Sequence, residues 1–164
     1  MADTPISETV MAAVLTRFKA MTTGAGYHRT VSSSNVFRRY FEVSDMPSTP
    51  CVLIYMLEEE TDHQGGGASI GTYAVSLPVV IVYLIEQYET DSVQTNMNQM
   101  RADITKAMGP EFEVLDADNK PGTITPVAIS SDSGTLDGTD GVVWVAKEFE
   151  LRWQRAYDDE ARFL

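Results

Sequence analysis

The chain has 164 residues, with a hydrophobic fraction of 43% and a charged fraction of 22%, as in one folded domain, which excludes disorder throughout. Its net charge of −12 is the wrong sign for DNA binding through clustered Lys and Arg. There is no secretory signal pattern at the N-terminus, and the most apolar run, residues 75–85, is too short for a membrane helix. We predict one soluble domain over residues 1–164, with a polar C-terminal tail at 158–164.

The first predicted element is a helix that Thr4 can cap, with Pro5 at its first helical position. Apolar residues recur in it at spacings of three to five and form one stripe. The stripe consists of Ile6, Val10, Met11, Val14, Leu15, Phe18 and Met21. Gly24 and Gly26 end the helix.

Two strands are predicted before residue 58. Within residues 27–43, the aromatic and β-branched residues from 36 onward favour extended structure. A turn with two prolines follows at 46–50. The apolar run Cys51–Leu57 then predicts a buried strand. Cys51 is the single cysteine, and because no histidine lies near it in sequence, we interpret it as a small buried hydrophobe.

A glycine-rich loop at 61–71 leads into strictly alternating apolar residues, which predict a strand over 73–88. Pro78 lies inside this strand and indicates an edge position or a bulge, because proline donates no ladder hydrogen bond. A second helix is predicted from Asp91, its cap, with Gln94 placed as in a capping box, to a stop at Gly109-Pro110. Its stripe, assigned to the core, is Val93, Met97, Met100, Ile104 and Met108.

Residues 111–121 are interpreted as an acidic loop, 123–130 as a strand, 132–141 as a turn and 142–154 as a last strand. One face of the last strand is apolar and the other is polar, so one side contacts water. The apolar face is Val143, Val145, Phe149, Leu151 and Trp153, and the polar face is Glu148, Glu150, Arg152 and Gln154. This order of elements predicts an α+β fold: a mostly antiparallel sheet of four to five strands, two helices on one face, and long strands extending from the body.

The lengths of two strands predict self-association. The strands over 73–88 and 142–155 would each span on the order of 45–50 Å, whereas a compact domain of this size is roughly 40 Å across. Either the sheet curls within one domain, or the strand ends project and need a neighbour to cover their backbone groups and apolar side chains. The second possibility predicts an oligomer.

No motif supports an enzyme. Gly67–Gly71 matches the G-x-S-x-G pattern, but a glycine loop precedes it, a strand follows it, and both histidines come earlier in the chain. Asp116–Gly122 begins like a calcium loop, yet Lys120 and Pro121 stand where an EF-hand needs an oxygen ligand and a glycine. We therefore predict no catalytic, cofactor-binding or metal-ligating residues, and no cofactor.

In its order of elements and in particular residues, the chain resembles the tail terminator proteins of long-tailed bacteriophages. The matching features, in chain order, are Val14-Leu15 and Phe18 in the opening helix, Met46-Pro47 and Pro50-Cys51-Val52-Leu53-Ile54 entering a core strand, Val80-Ile81-Val82-Tyr83, the helix from Asp91 to Met108, and Glu148-Phe149-Glu150-Leu151-Arg152-Trp153. The likeness covers nearly the whole chain and is one of pattern, because the family has no invariant catalytic motif.

The resemblance implies a small α+β virion protein that assembles in the bacterial host cytoplasm as a hexameric ring. Such a ring binds the last layer of tail-tube subunits, stops tube growth and offers a surface to the head–tail connector. In contractile tails it also engages the sheath. DNA passes through its lumen without specific binding. Other neck or head–tail joining subunits have a similar pattern. A monomeric α+β binding module and an enzyme whose site the sequence does not display are the alternatives from other classes.

On this hypothesis, an acidic lumen would let DNA pass, because basic side chains would retain its phosphates. Candidates for the lumen or the tube-facing side are Glu58, Glu59, Glu60 and Asp62. Candidates for pairing with acidic groups of a neighbouring subunit are Arg29, Arg38 and Arg39, which could equally be solvated. Trp153 and Tyr157 are candidate interface anchors by residue type, or core residues.

Overall fold

The computed structural model describes residues 4–39, 48–58, 60–62, 72–86, 92–136, 141–156 and 163, with the backbone alone at 60–62, 72–73 and 155–156. The described ranges contain helices α1 (Ile6–Lys19) and α2 (Val93–Met108). Their strands are β1 (Val36–Phe37), β2 (Cys51–Met56), β3 (Glu60–Asp62), β4 (Thr72–Glu86), β5 (Phe112–Leu115), β6 (Pro121–Thr135) and β7 (Val142–Ala156). Neither helix has the length and apolarity needed to cross a membrane.

The strands form one sheet in the order β1-β2-β4-β7-β6-β5, and β3 pairs with β4 beside β2. Only β1 and β2 are parallel; the other neighbours are antiparallel. β4 and β7 pair along their full 15 residues. The predicted α+β class and largely antiparallel sheet are therefore confirmed, whereas the predicted four to five strands were too few.

The strands that sequence analysis missed are short. In β5, Phe112 and Val114 are buried and Glu113 and Leu115 are exposed. This alternation produces a strand within a segment whose acidic composition predicted a loop. The loop over 111–121 was therefore wrong for these four residues, and also for Pro121, where β6 begins. The strand predicted within 27–43 is limited to Val36–Phe37 among the described residues, and 40–47 lie outside them.

The main core lies between the two helices and one face of the sheet. The predicted stripes of both helices and the predicted apolar face of β7 are confirmed as core, with Leu15 and Val93 partly buried at its margin. The helical members are Ile6, Val10, Met11, Val14, Phe18, Met97, Met100, Ile104, Ala107 and Met108. Each large side chain removed from water here contributes about 1.5–3 kcal/mol, so packing rather than helix propensity determines where the helices lie.

A second, smaller apolar cluster lies on the opposite face of the sheet. It is formed by Cys51, Leu53, Leu84 and Val142, with Trp144 packed against it. Cys51 is fully buried, and burial raises the pKa of its thiol to about 11. The thiol is therefore protonated at neutral pH, which confirms the interpretation of Cys51 as a small buried hydrophobe.

Both predicted helix caps were misplaced by one residue. α1 is preceded by Pro5, with no side-chain capping bond, rather than starting after Thr4. α2 is capped by Ser92, whose Oγ accepts a hydrogen bond from the Thr95 N–H at 3.1 Å, and Asp91 lies outside the described residues. The predicted stop is confirmed at Gly109, which has a φ of 67° that favours glycine.

Pro78 occupies a central strand, so the predicted edge position was wrong. The alternative prediction, a bulge, is confirmed by the register: Met56 pairs with Val79 and Glu60 with Ser76, so three residues of the facing segment lie opposite two of β4. Its carbonyl accepts a hydrogen bond from the Leu57 N–H at 2.9 Å. The N and the carbonyl of one strand residue point to the same side, so the missing donor also faces that side. There β2 pairs with residues 79–84 and β3 with 74–76. Pro78 is tolerated because it lies opposite the gap between these two strands.

Phe163 is anchored to the turn before β6. Phe163 is 6% exposed and belongs to the main core, so it departs from the predicted polar tail; the rest of 158–164 lies outside the described residues. Its N–H donates to Asp116 Oδ2 at 3.0 Å. Its ring lies so close to Gly122 that a Cβ there would be 2.3 Å from ring carbons. Gly122 is therefore required for this contact.

The Asp116 carboxylate organises the same turn. Its Oδ1 accepts from the N–H groups of Asp118 at 2.9 Å and Lys120 at 2.8 Å. Burial alone would raise the pKa of Asp116, but backbone N–H donors from Lys120, Phe163 and Asp118 outweigh it and hold the pKa below its usual value. The segment resembling a calcium loop thus uses its first carboxylate to hold backbone amides.

We expect Asp116→Asn to lower the free energy of unfolding at pH 7 by about 1–2 kcal/mol, because an amide nitrogen would replace one of the accepting oxygens. In the wild type, the folded pKa lies below the unfolded one. The carboxylate's contribution is therefore complete above about pH 5 and is lost as the pH falls through the folded pKa. Urea unfolding between pH 7 and acid measures both effects. Glu113→Gln is the control, and an identical acid profile for Asp116→Asn and wild type would contradict the assignment.

Candidate interaction surface

The described residues contain no grouping of three or more His, Cys, Asp or Glu side chains suited to a metal ion. A cleft of about 690 Å³ lies between the start of β6 and the end of β7, with Glu150 and Arg152 among its lining residues. Arg152 Nη2 lies 2.5 Å from Glu150 Oε2, and Ser76 Oγ donates to Glu150 Oε1. Arg152 and then Ser76 lower the pKa of Glu150, so it stays ionised at neutral pH and is unsuited to be a general acid.

His28 and Asp103 form a polar contact that is structural. The imidazole Nδ1 lies 2.8 Å from Asp103 Oδ1, and the His28 backbone N–H donates to both carboxylate oxygens, at 3.1 and 3.2 Å. Asp103 is 1% exposed. The contacts found for this pair in the described residues include no serine or cysteine. The carboxylate therefore fixes the segment after α1 on α2 instead of activating a nucleophile.

All three candidate interface arginines make contacts within the chain. Arg29 donates to Gln99 Oε1 at 3.0 Å and to Asn96 Oδ1 at 2.5 Å, both on α2. Arg38 makes a two-pronged contact with Glu8, at 2.5 and 2.7 Å. The Arg39 guanidinium lies 5.8 Å from the centre of the Phe37 ring. Arg38 and Arg39 directly follow β1 at the edge of the sheet, whereas Arg29 lies in the segment after α1 and binds α2.

The described acidic candidates lie in the segment from the end of β2 to β3. Glu58 is exposed just beyond β2, and the backbone of Glu60 and Asp62 lies in β3, opposite Ser76 and Ala74 of β4. Glu59 is outside the described residues, as is Tyr157. Trp153 is 5% exposed and belongs to the main core, so it is not an exposed interface anchor.

Sequence analysis missed a basic pair, Arg101 and Lys147. Lys147 Nζ donates to Thr105 Oγ1 at 2.6 Å, and Arg101 donates to Asn98 Oδ1 at 3.1 Å and to Ser133 Oγ at 2.6 Å. Burial, followed by the positive charge of Arg101, lowers the pKa of Lys147. No carboxylate within the described part of the chain forms an ion pair with either side chain. The signal in the sequence was Lys147 itself, which interrupts the apolar face of β7.

Exposed apolar side chains lie at both sides of the sheet. Met56 is 37% and Leu57 50% exposed at the β2 side, and Leu115 is 53% and Ile129 54% exposed on β5 and β6. Ile129 lies in the bulge between Ala128 and Ser130 of β6. No protein-family model matches the chain, and no curated protein matches it significantly.

Proposed function

We propose that this chain is a non-enzymatic structural subunit of a long-tailed phage, forming a ring that caps the tail tube. The observation that carries the proposal is the outer edge of β6. Over residues 125–135, β6 pairs with β7 on one side, and on its other side no described strand pairs with it, because β5 pairs only with 121–124. A strand edge of this length is a natural place for contact with another polypeptide.

The location of this edge differs from the prediction. The long strands expected to leave their edges uncovered are β4 and β7, which are central and pair with each other throughout. The third 15-residue strand, β6, is the one with the open edge. At about 3.3 Å per residue it spans roughly 50 Å. The proposal of an oligomer therefore depends on the open edge of β6 and on the exposed apolar side chains near the two sides of the sheet.

The proposed partners follow from this role. Copies of the chain would form the ring, which we propose to be a hexamer. The tail tube would bind one face of the ring and the head–tail connector the other, with the sheath as a further partner in contractile tails. The net charge of −12 supports passage of DNA without binding. The same features fit another neck or head–tail joining subunit, which would differ in the protein it contacts.

Mass measurement and electron microscopy of the purified chain test this proposal. The expected result is a closed ring that forms with rising concentration, or on addition of tail tubes from the same phage, and that labels the head-proximal end of the tube. A chain that stays monomeric under both conditions and binds no tube would overturn the proposal. Such a monomer would favour a binding module built around the cleft lined by Glu150 and Arg152.

A further inference from the structure

The open edge of β6 has a regular stretch beyond its bulge. Residues 130–135 pair one to one with residues 143–148 of β7, after the irregularity between Ala128 and Ser130. On the other side of this stretch no described strand pairs with β6. Residues 128–132 are all exposed, so both faces of the strand contact solvent there. A typical strand has about 5–6 residues, so the stretch is long enough to accept one more strand.

The face of this stretch that lies on the helix side of the sheet is positively charged. Ser131 lies opposite Lys147 and Ser133 opposite Val145, and Val145 belongs to the main core beneath the helices. Arg101 of α2 donates to Ser133 Oγ at 2.6 Å, which holds its guanidinium over β6. Within the described residues, Arg101 and Lys147 bond only to hydroxyl and amide oxygens. Two positive charges therefore lie on this face without a paired carboxylate.

The other face of the same stretch carries carboxylates. Asp132 lies opposite Ala146, and Ser130 opposite Glu148. Trp144 shares this face of β7 and packs on the smaller apolar cluster, so the face points away from the helices. Asp132 is exposed, and Glu148 Oε2 accepts a hydrogen bond from Ser130 Oγ at 3.1 Å. The stretch 130–135 is therefore positive on one face and negative on the other.

We propose that residues 130–135 bind an extended segment of a partner protein whose side chains alternate between acidic and basic. This inference rests on the proposed function and names the chemistry of the partner that this part of the edge accepts. An added strand lies about 4.8 Å from its neighbour, and residues opposite each other have Cβ atoms about 4.5–5.5 Å apart. Acidic side chains of the segment would therefore reach Arg101 beside Ser133, and basic ones would meet Asp132 on the other face.

A second copy of the chain fits this stretch less well. Among the described strands, β1, β3 and β5 have two, three and four residues, β2 is partly covered by β1, and β4 and β7 are central. Antiparallel pairing of two β6 edges would place Arg101 of both copies on the same face, where like charges repel. Residues 125–129 and the exposed apolar side chains remain for contacts between copies.

A peptide titration tests the inference. The probe is a fluorescent peptide with glutamate at alternate positions and lysine or threonine between them. We expect it to bind the wild-type chain and to slow amide hydrogen exchange at residues 130–135, because strand pairing protects the outward N–H groups. Arg101→Glu should weaken binding roughly three- to tenfold, and thermal unfolding checks that the variant is folded. Lys19→Glu, an exposed charge reversal on α1, is the matched control and should bind as the wild type does.

A second peptide of the same composition, with its glutamates grouped at one end, separates strand pairing from simple charge attraction. It should bind more weakly, because its charges cannot match both faces at once. Equal binding of the two peptides, no binding at about 1 mM, or no effect of Arg101→Glu would overturn the inference. Protection of residues 130–135 that rises with the concentration of the chain alone would assign the stretch to a second copy and overturn it too.

The peptide result and the ring are separable. Rings that form while the peptide fails to bind would leave the proposed function standing without this partner site. Peptide binding by a chain that forms no ring, with or without tail tubes, would support the strand site and remove the ring.

Discussion

Replacing Asp103 by alanine is expected to lower the free energy of unfolding by about 3 kcal/mol. Asp103 is 1% exposed. Its carboxylate accepts hydrogen bonds from the backbone N–H of His28 and contacts the ring Nδ1. Alanine would remove both contacts and leave the backbone N–H without its acceptor inside the protein. Hydrogen bonds to charged groups contribute about 1.5–3 kcal/mol, and an unsatisfied buried group costs about 1–3 kcal/mol.

Urea unfolding of three variants would separate these contributions. Asp103→Asn keeps one accepting oxygen, so its loss should be smaller than that of Asp103→Ala. His28→Ala removes only the ring contact at 2.8 Å and keeps the backbone bonds, so it should cost about 1 kcal/mol. If Asp103→Ala were as stable as His28→Ala, the backbone bonds would contribute nothing and the proposed anchor would be wrong.

Replacing Arg17 by methionine is expected to cost about 2–4 kcal/mol. The guanidinium on α1 donates to the carbonyls of Ala107 at 2.8 Å and Met108 at 2.9 Å, at the end of α2. It also lies 5.1 Å from the centre of the Phe112 ring. A helix leaves its last carbonyls without partners and carries partial negative charge there. Arg17 satisfies both needs while joining α1, α2 and β5.

The shape of the side chain provides a sharper comparison. Arg17→Lys keeps the charge but loses the planar fork that reaches two carbonyls at once, so its stability should lie between wild type and Arg17→Met. Lys19→Met, in the same last turn of α1 and exposed, should change the free energy of unfolding by less than about 0.5 kcal/mol. Equal losses for Arg17→Met and Lys19→Met in chemical denaturation would contradict the bridging role.

The sequence predicted those parts of the fold that depend on local periodicity. The apolar stripes of α1 and α2 and the two faces of β7 follow from spacings of three to four and of two. It could not place Pro78, because proline is excluded from a central strand only where a neighbour needs its N–H. That condition depends on where β2 ends and β3 begins, which is set by strand pairing in the folded protein and not by local sequence. The Thr4 and Asp91 caps failed for a local reason, since an adjacent residue takes the capping position.

The surface residues were harder to predict than the fold. Residue type suggested Trp153 as an interface anchor, but register places it on the core face of β7. Arg38 was a candidate for pairing between subunits, yet Glu8 lies close enough to bind it within the chain. The basic pair requires α2 to lie over β7, so that Thr105 meets Lys147. One-dimensional spacing carries no information on such contacts.

The break between β2 and β3 opposite Pro78 has a consequence for local unfolding of the sheet. β2 is attached to β4 by six residue pairs and β3 by three, and the two attachments do not share a continuous ladder. Fraying of β3 therefore need not propagate into β2, and it costs less free energy than loss of the longer strand. Residues 60–62 can thus separate from β4 and pair with it again while the central antiparallel pair of β4 and β7 stays intact.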